Sequence, residues 1–296
     1  MKMRFTFSLL FFLSALLFGC HNANDNEVII GISPSDESDR SFKSMEVVTS
    51  YLRKELNMEV RQILVTNYSA MIEAMRAKKI HVGSGGAFTY LVAADKADAE
   101  AIITTGIPDG TPNVYRSCLI TRAGSPINNF DDLKRQSKNL TLSWAYPTST
   151  SGHLVPRYEM QRRGIFPKDF KEVLTSTDHA SAIFTVLSGK VDVAAVHLTG
   201  LERLIRDGRI KKTELKVIWQ SRPLLPPPIF VRKDMDPALK MKIKKAYLEM
   251  KKKDPAAWAV IRKQYLTEVQ YIPIADKEYQ YFRDIANGID DLGIKY

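Results

Sequence analysis

The run Ser149-Thr150-Ser151-Gly152 lies between Tyr146-Pro147 and a helical stretch from Leu154 to Met160. Hydroxyls at a helix start make a cradle for an anion. The first N–H groups of a helix have no partner within it, and the helix dipole adds positive partial charge at that end. A phosphate-like group or a carboxylate is stabilised there. His179 opens a second helix candidate in Thr177-Asp178-His179-Ala180-Ser181-Ala182. Two helix starts and an imidazole could therefore serve one small oxyanion. The same hydroxyls also suit plain helix capping, since Ser and Thr are ordinary N-caps.

Catalysis fits these residues less well. Serine beside histidine suggests a hydrolase, but the chain has no G-x-S-x-G elbow. Asp178 adjoins His179, and neighbours in sequence do not face each other on a helix. His153 reads as a surface or cleft-rim residue, while His81 and His197 stand alone. No H-E-x-x-H motif or Cys/His cluster offers a metal site. The expectation is a binder, not an enzyme, with no cofactor and no metal.

The N-terminus reads as an export signal. Lys2 and Arg4 precede an apolar stretch from Phe5 to Phe18, too short for a comfortable membrane span. Leu17-Phe18-Gly19-Cys20 resembles a bacterial lipobox. Residues 1–19 are expected to be a leader, Cys20 the lipidated first residue, and residues 20–26 a polar tether. Such a lipid anchors a protein without spanning the bilayer, which places the chain in the cell envelope, facing periplasm or exterior. A simple signal anchor is the rival reading. The other cysteine, Cys118, cannot form a bridge within a mature chain and reads as a small buried apolar residue.

The formal net charge is +10. Nucleic acid is one partner for a basic chain. Here the cations are scattered, as from Lys240 to Lys253, with acids between them. For an exported protein, a solvated basic surface that attracts anions or lies near anionic lipid is the simpler reading. No nucleic-acid partner is expected.

These residues need elements to hold them. Asn26 to Ile32 reads as a buried strand, followed by a helix from Ser41 to Leu56 with Phe42, Met45, Val48, Thr49 and Leu52 at helical spacing. Strands at Val60–Val65 and Ile80–Gly83 alternate with helices at Tyr68–Ala77 and Phe88–Ala94. The pattern restarts with strands at Val114–Thr121, Leu140–Trp144, Lys171–Thr175, Val191–Val196 and Leu215–Gln220, interleaved with helices at Ala180–Leu187 and Thr199–Arg206. Pro223 to Pro228 cannot be a central strand. Ile229-Phe230-Val231 returns to strand character, and the chain from Asp236 onward reads as helical. The alternation predicts an α/β fold with mostly parallel sheets. Two lobes are expected, residues 27–117 with 227–296 and residues 118–226. Crossings near Tyr115–Leu119 and Leu225–Phe230 would form a hinge around a ligand cleft.

The chain resembles the substrate-binding proteins of phosphate, phosphite and phosphonate ABC importers. The likeness runs from Val28 to Ile274 through ordered segments. They begin with Thr66-Asn67-Tyr68-Ser69-Ala70-Met71-Ile72-Glu73-Ala74 and Tyr115-Arg116-Ser117, and continue from Ser149 to Tyr158. His179-Ala180-Ser181-Ala182, Gly189 to Ala195 and Val217-Ile218-Trp219 complete them. The resemblance implies a two-lobed periplasmic-binding-protein type II fold. It implies a monomer that captures a phosphorus oxyanion and delivers it to a membrane permease. It also implies that Ser149, Thr150 and Ser151 donate to the oxyanion, His179 donates from its ring, and Tyr68 and Tyr115 wall the pocket through their phenols. Charge-assisted bonds of this kind are the strong ones. Relatives that accept aminoalkylphosphonates resemble one another in carrying acids where this chain has Thr199 and, nearby, Pro227. A buried amine without a partner is costly, so phosphate, phosphite or a small alkylphosphonate is the expected cargo. Glu202 is expected to point away. A ligand sensor of the same fold and a binder of a small carboxylate are the alternatives.

Overall fold

The structure is a computed structural model that describes residues 27–32, 38–289 and 291–292. The expected leader, the tether and Cys20 lie outside the described residues.

The first half alternates strand and helix: β1 (Glu27–Ile32), α1 (Ser38–Leu56), β2 (Glu59–Leu64), α2 (Tyr68–Arg76), β3 (Val82–Ser84), α3 (Ala87–Ala97) and β4 (Ala99–Gly106). The middle comprises β5 (Ser117–Arg122), α4 (Phe130–Gln136), β6 (Thr141–Trp144), α5 (Val155–Gln161), β7 (Glu172–Thr175), α6 (His179–Leu187), β8 (Val193–His197), α7 (Leu198–Arg206) and β9 (Leu215–Gln220). The chain closes with β10 (Ile229–Arg232), α8 (Pro237–Lys253), α9 (Pro255–Arg262), β11 (Gln270–Pro273) and α10 (Gln280–Asn287).

Two sheets result. The first has the order β11-β4-β10-β3-β1-β2, the second β7-β6-β8-β5-β9. Ligand sites in such sheets form outside the carboxyl ends of strands. Each sheet has its own core. Phe230 on β10 is fully buried and packs so closely on β3 that a Cβ at Gly83 would meet its ring at 2.7 Å. Leu119, Leu142 and Val193 fill one face of the second sheet. Burying one such side chain contributes about 1.5–3 kcal/mol. Local signals set the helix starts: Asn67 accepts from Ala70 N at 2.8 Å, and Asp178 accepts from Ser181 N at 2.7 Å.

Three features differ from the sequence reading. The sheets are mixed, with four parallel and five antiparallel pairings. The reason is topological: β5 and β10 enter their sheets from the other one and so run against their neighbours. Two strands escaped the pattern, β4 and β11, which pair with each other. The region after Asp236 is therefore not wholly helical. The crossings are the segments 107–116 and 221–228, bridged where Tyr115 N donates to Leu224 O (3.1 Å) and Leu224 N to Tyr115 O (2.8 Å).

Candidate functional site

The cradle sits at the carboxyl end of β6. Ser149 is extended, with φ −71° and ψ 130°. Its Oγ accepts from Gly152 N at 2.9 Å, so it caps the turn that follows. That turn, Thr150–Leu154, is a wide π-type turn that runs into α5. Gly152 is required by close approach. A Cβ there would meet Ala145 Cβ at 2.4 Å and His179 Cε1 at 2.9 Å. With Gly152 N satisfied, the N–H groups of Thr150 and Ser151 have no acceptor among the described residues.

His179 begins α6 after β7. Its Nδ1 accepts from the backbone N–H of His197 at 3.2 Å. That bond leaves Nδ1 without a hydrogen, so the neutral ring carries its proton on Nε2. Burial, then the neighbouring His197 and Arg203, holds its pKa well below the usual imidazole value. The ring is thus a neutral donor, and Nε2 lies 3.4 Å from Ser149 Oγ.

Thr150 is shared. Its Oγ1 accepts from Phe88 N at 2.8 Å. The N-cap of α3 is Gly86, which has no side chain to cap with. The hydroxyl of Thr150 supplies that cap from the other sheet. A Cβ on Gly86 would meet it at 2.7 Å. Ser117 Oγ donates to Ser151 O at 2.6 Å and fixes the turn from β5.

Aromatic rings close the walls. Tyr68 stacks on Tyr146 with centroids 4.7 Å apart, and Tyr146 meets His179 edge-on. Burial pushes the Tyr115 phenol up to about 12, against the lowering effect of the Thr150 and Ser151 hydroxyls beside it. Ser149, Thr150, Ser151, His179, Tyr115 and Tyr68 all border one cavity of about 540 Å³. It lies between loops of both sheets.

Beside the cradle, sequence reasoning missed Tyr146 and His197. Tyr146 stands at the end of β6, and His197 ends β8, its ring 4.3 Å from that of His179. The signal that marked Ser149 applied to both: a strand end before a helix start. His197 Nδ1 accepts from Gly200 N at 2.9 Å and caps α7. Two expectations are corrected. His153 is buried rather than at a rim. Its Nδ1 lies 2.6 Å from Pro147 O, and its ring meets Trp144 edge-on. Glu202 does not point away but borders the cavity, as do Thr199 and Pro227. Among the described residues, no group of three or more His, Cys, Asp or Glu could hold a metal.

Comparison with known proteins identifies the family. Residues 30–279 match the family of periplasmic substrate-binding proteins of phosphonate ABC transporters. The phosphonates-binding periplasmic protein of Escherichia coli K12 is 32% identical over 97% of this chain and 86% of its own length. A binding protein of a phosphonate ABC transporter from Pseudomonas aeruginosa superposes with a TM-score of 0.79 at 26% identity, covering 88% of this chain and 85% of its own. A methylphosphonate-bound protein from Prochlorococcus marinus superposes with a TM-score of 0.77 at 21% identity, covering 90% of this chain and 100% of its own.

Proposed function

The chain belongs to the periplasmic substrate-binding proteins of phosphonate ABC transporters, and on that premise we propose that its cleft captures a small phosphorus oxyanion for a membrane permease. The single observation that carries the choice of ligand is the donor set around Ser149. The N–H groups of Thr150 and Ser151, which have no acceptor among the described residues, and the Nε2–H of a neutral His179 belong to residues that line one cavity. Tyr68 and Tyr115 add phenols. Glu202 is the one acid among the described wall residues, and its exposure makes an ion pair with a ligand amine weak. Phosphite, phosphate or a small alkylphosphonate suits this set better than an aminophosphonate.

The same geometry argues against turnover. Nε2 of His179 already carries a hydrogen, so it cannot take the proton of Ser149 as a general base would. The protein binds and releases its cargo unchanged.

Residues 27–117 with 227–296 form one lobe in this reading, and residues 118–226 the other. The mature protein is a monomer held in the cell envelope by lipid on Cys20. Cys20→Ser is expected to move the protein from the membrane fraction to the soluble one; unchanged fractionation would refute the anchor.

The decisive experiment is calorimetric titration with phosphate, phosphite, methylphosphonate and aminoethylphosphonate, beside Ser151→Ala and His179→Ala. One of the first three should bind tightest, with affinity down at least tenfold in both variants. Tightest binding of aminoethylphosphonate would overturn the ligand choice. Heat from none of the four would overturn the oxyanion reading.

A further inference from the structure

The cavity is larger than its cradle. Methylphosphonate needs the room of a few waters, each about 30 Å³ in bulk, against about 540 Å³ in all. On the side of the first sheet the same cavity has a chamber bordered by Thr105, Tyr247, Tyr265 and Tyr271.

The chamber is bordered by one buried hydroxyl without a partner and by three tyrosines. Thr105 on β4 is 2% exposed, and its Oγ1 has no hydrogen-bond partner. It leans toward the Tyr265 phenol, which it lowers, without reaching hydrogen-bond geometry. Tyr247 on α8 is 3% exposed, and burial alone raises its phenol. Its ring stands edge-on to that of Tyr271, 5.5 Å away. Tyr271 also feels the phenols of Tyr265 and Tyr247. Neither the Tyr247 nor the Tyr271 phenol makes a hydrogen bond among the described residues. Arg203 lies close enough to lower Tyr265 and donates to Gln264 O at 3.3 Å. Buried hydroxyls left unpaired cost free energy. Here the unpaired group is the Thr105 hydroxyl, and with tyrosine phenols and the Arg203 guanidinium along the same wall it suits an oxygen acceptor better than an ammonium.

We propose that this chamber receives the organic substituent of a bound phosphonate, and that this substituent bears a carbonyl or carboxylate oxygen. The inference rests on the oxyanion reading above and extends it from the phosphonate head to the rest of the cargo.

The test is titration of the mature protein with methylphosphonate, phosphonopropionate, oxobutylphosphonate and isopentylphosphonate. The last has the shape of the ketone but no acceptor. Tyr247→Phe and Thr105→Val run beside the unaltered protein. The acid or the ketone is expected to bind about tenfold tighter than the isopentyl compound, as one or two well-made hydrogen bonds would give. Each variant should erase several-fold of that advantage and leave methylphosphonate affinity unchanged. Comparable affinity for isopentylphosphonate, or an advantage that survives both variants, overturns the chamber while the cradle stands. Binding of no phosphonate overturns both.

Discussion

Two buried imidazoles give the protein a dependence on mild acid, above the range where its carboxylates titrate. Burial pushes His153 down to about 4, while the Pro147 carbonyl opposes the shift and Arg157 adds to it. Burial also holds His179 well below its usual value. The unfolded chain protonates both near pH 6.5. Folded pKa values below the unfolded ones mean that the unfolded state binds more protons. Stability is therefore complete above about pH 6.5 and is lost as pH falls toward the folded values. For His153 the displacement is worth about 3 kcal/mol. Urea midpoints should fall between pH 7.5 and about pH 5, and His153→Gln should flatten that decline. An equal slope in the variant would remove His153 from the account.

At the scale of elements, the turn after β6 is the most constrained piece. Gly152→Ala has no space for its methyl against Ala145 and His179. It should cost about 1–3 kcal/mol of stability and weaken oxyanion binding at least tenfold, read by thermal melting and titration. Thr150→Val removes the hydroxyl that caps α3 and should cost about 1 kcal/mol, with Thr150→Ser restoring it. Equal melting of the valine and serine variants would show that the cap is idle. These elements were unevenly legible. β1, β2 and α2 carry clear periodicity, and the order of hydroxyls, glycine and histidine singled out residues that the fold brings to one cavity. β4 was not legible, because Ala99 to Gly106 lacks alternation: it is covered on both faces. β11 is short and follows two helices, which masked it. Thr105 and Tyr247 lie far apart in sequence, and only the pairing of β4 with β11 and the return of α8 bring them to one chamber. No local spacing encodes such a meeting.

Across the whole molecule, the two sheets are joined by the paired crossings and by a contact on one side. That contact includes Leu154 and Val155 against the α3 core, and the ion pair of Arg157 with Asp291. Leu224→Pro deletes the N–H that holds Tyr115 O. It should raise the radius of gyration of the ligand-free protein in small-angle scattering and weaken binding about tenfold. An unchanged radius would assign rigidity to the α3 side instead. The position of Tyr115 has a wider consequence. Its backbone makes both bonds of the crossing, and its phenol lies against the Thr150 and Ser151 hydroxyls. In the proposed site, joint angle and grip on the cargo would thus be two readings of one residue. Reciprocity then requires that a permease favouring the open angle weaken the grip by the factor by which cargo weakens its hold on that angle. A permease that held the open angle would by that hold alone loosen the cargo.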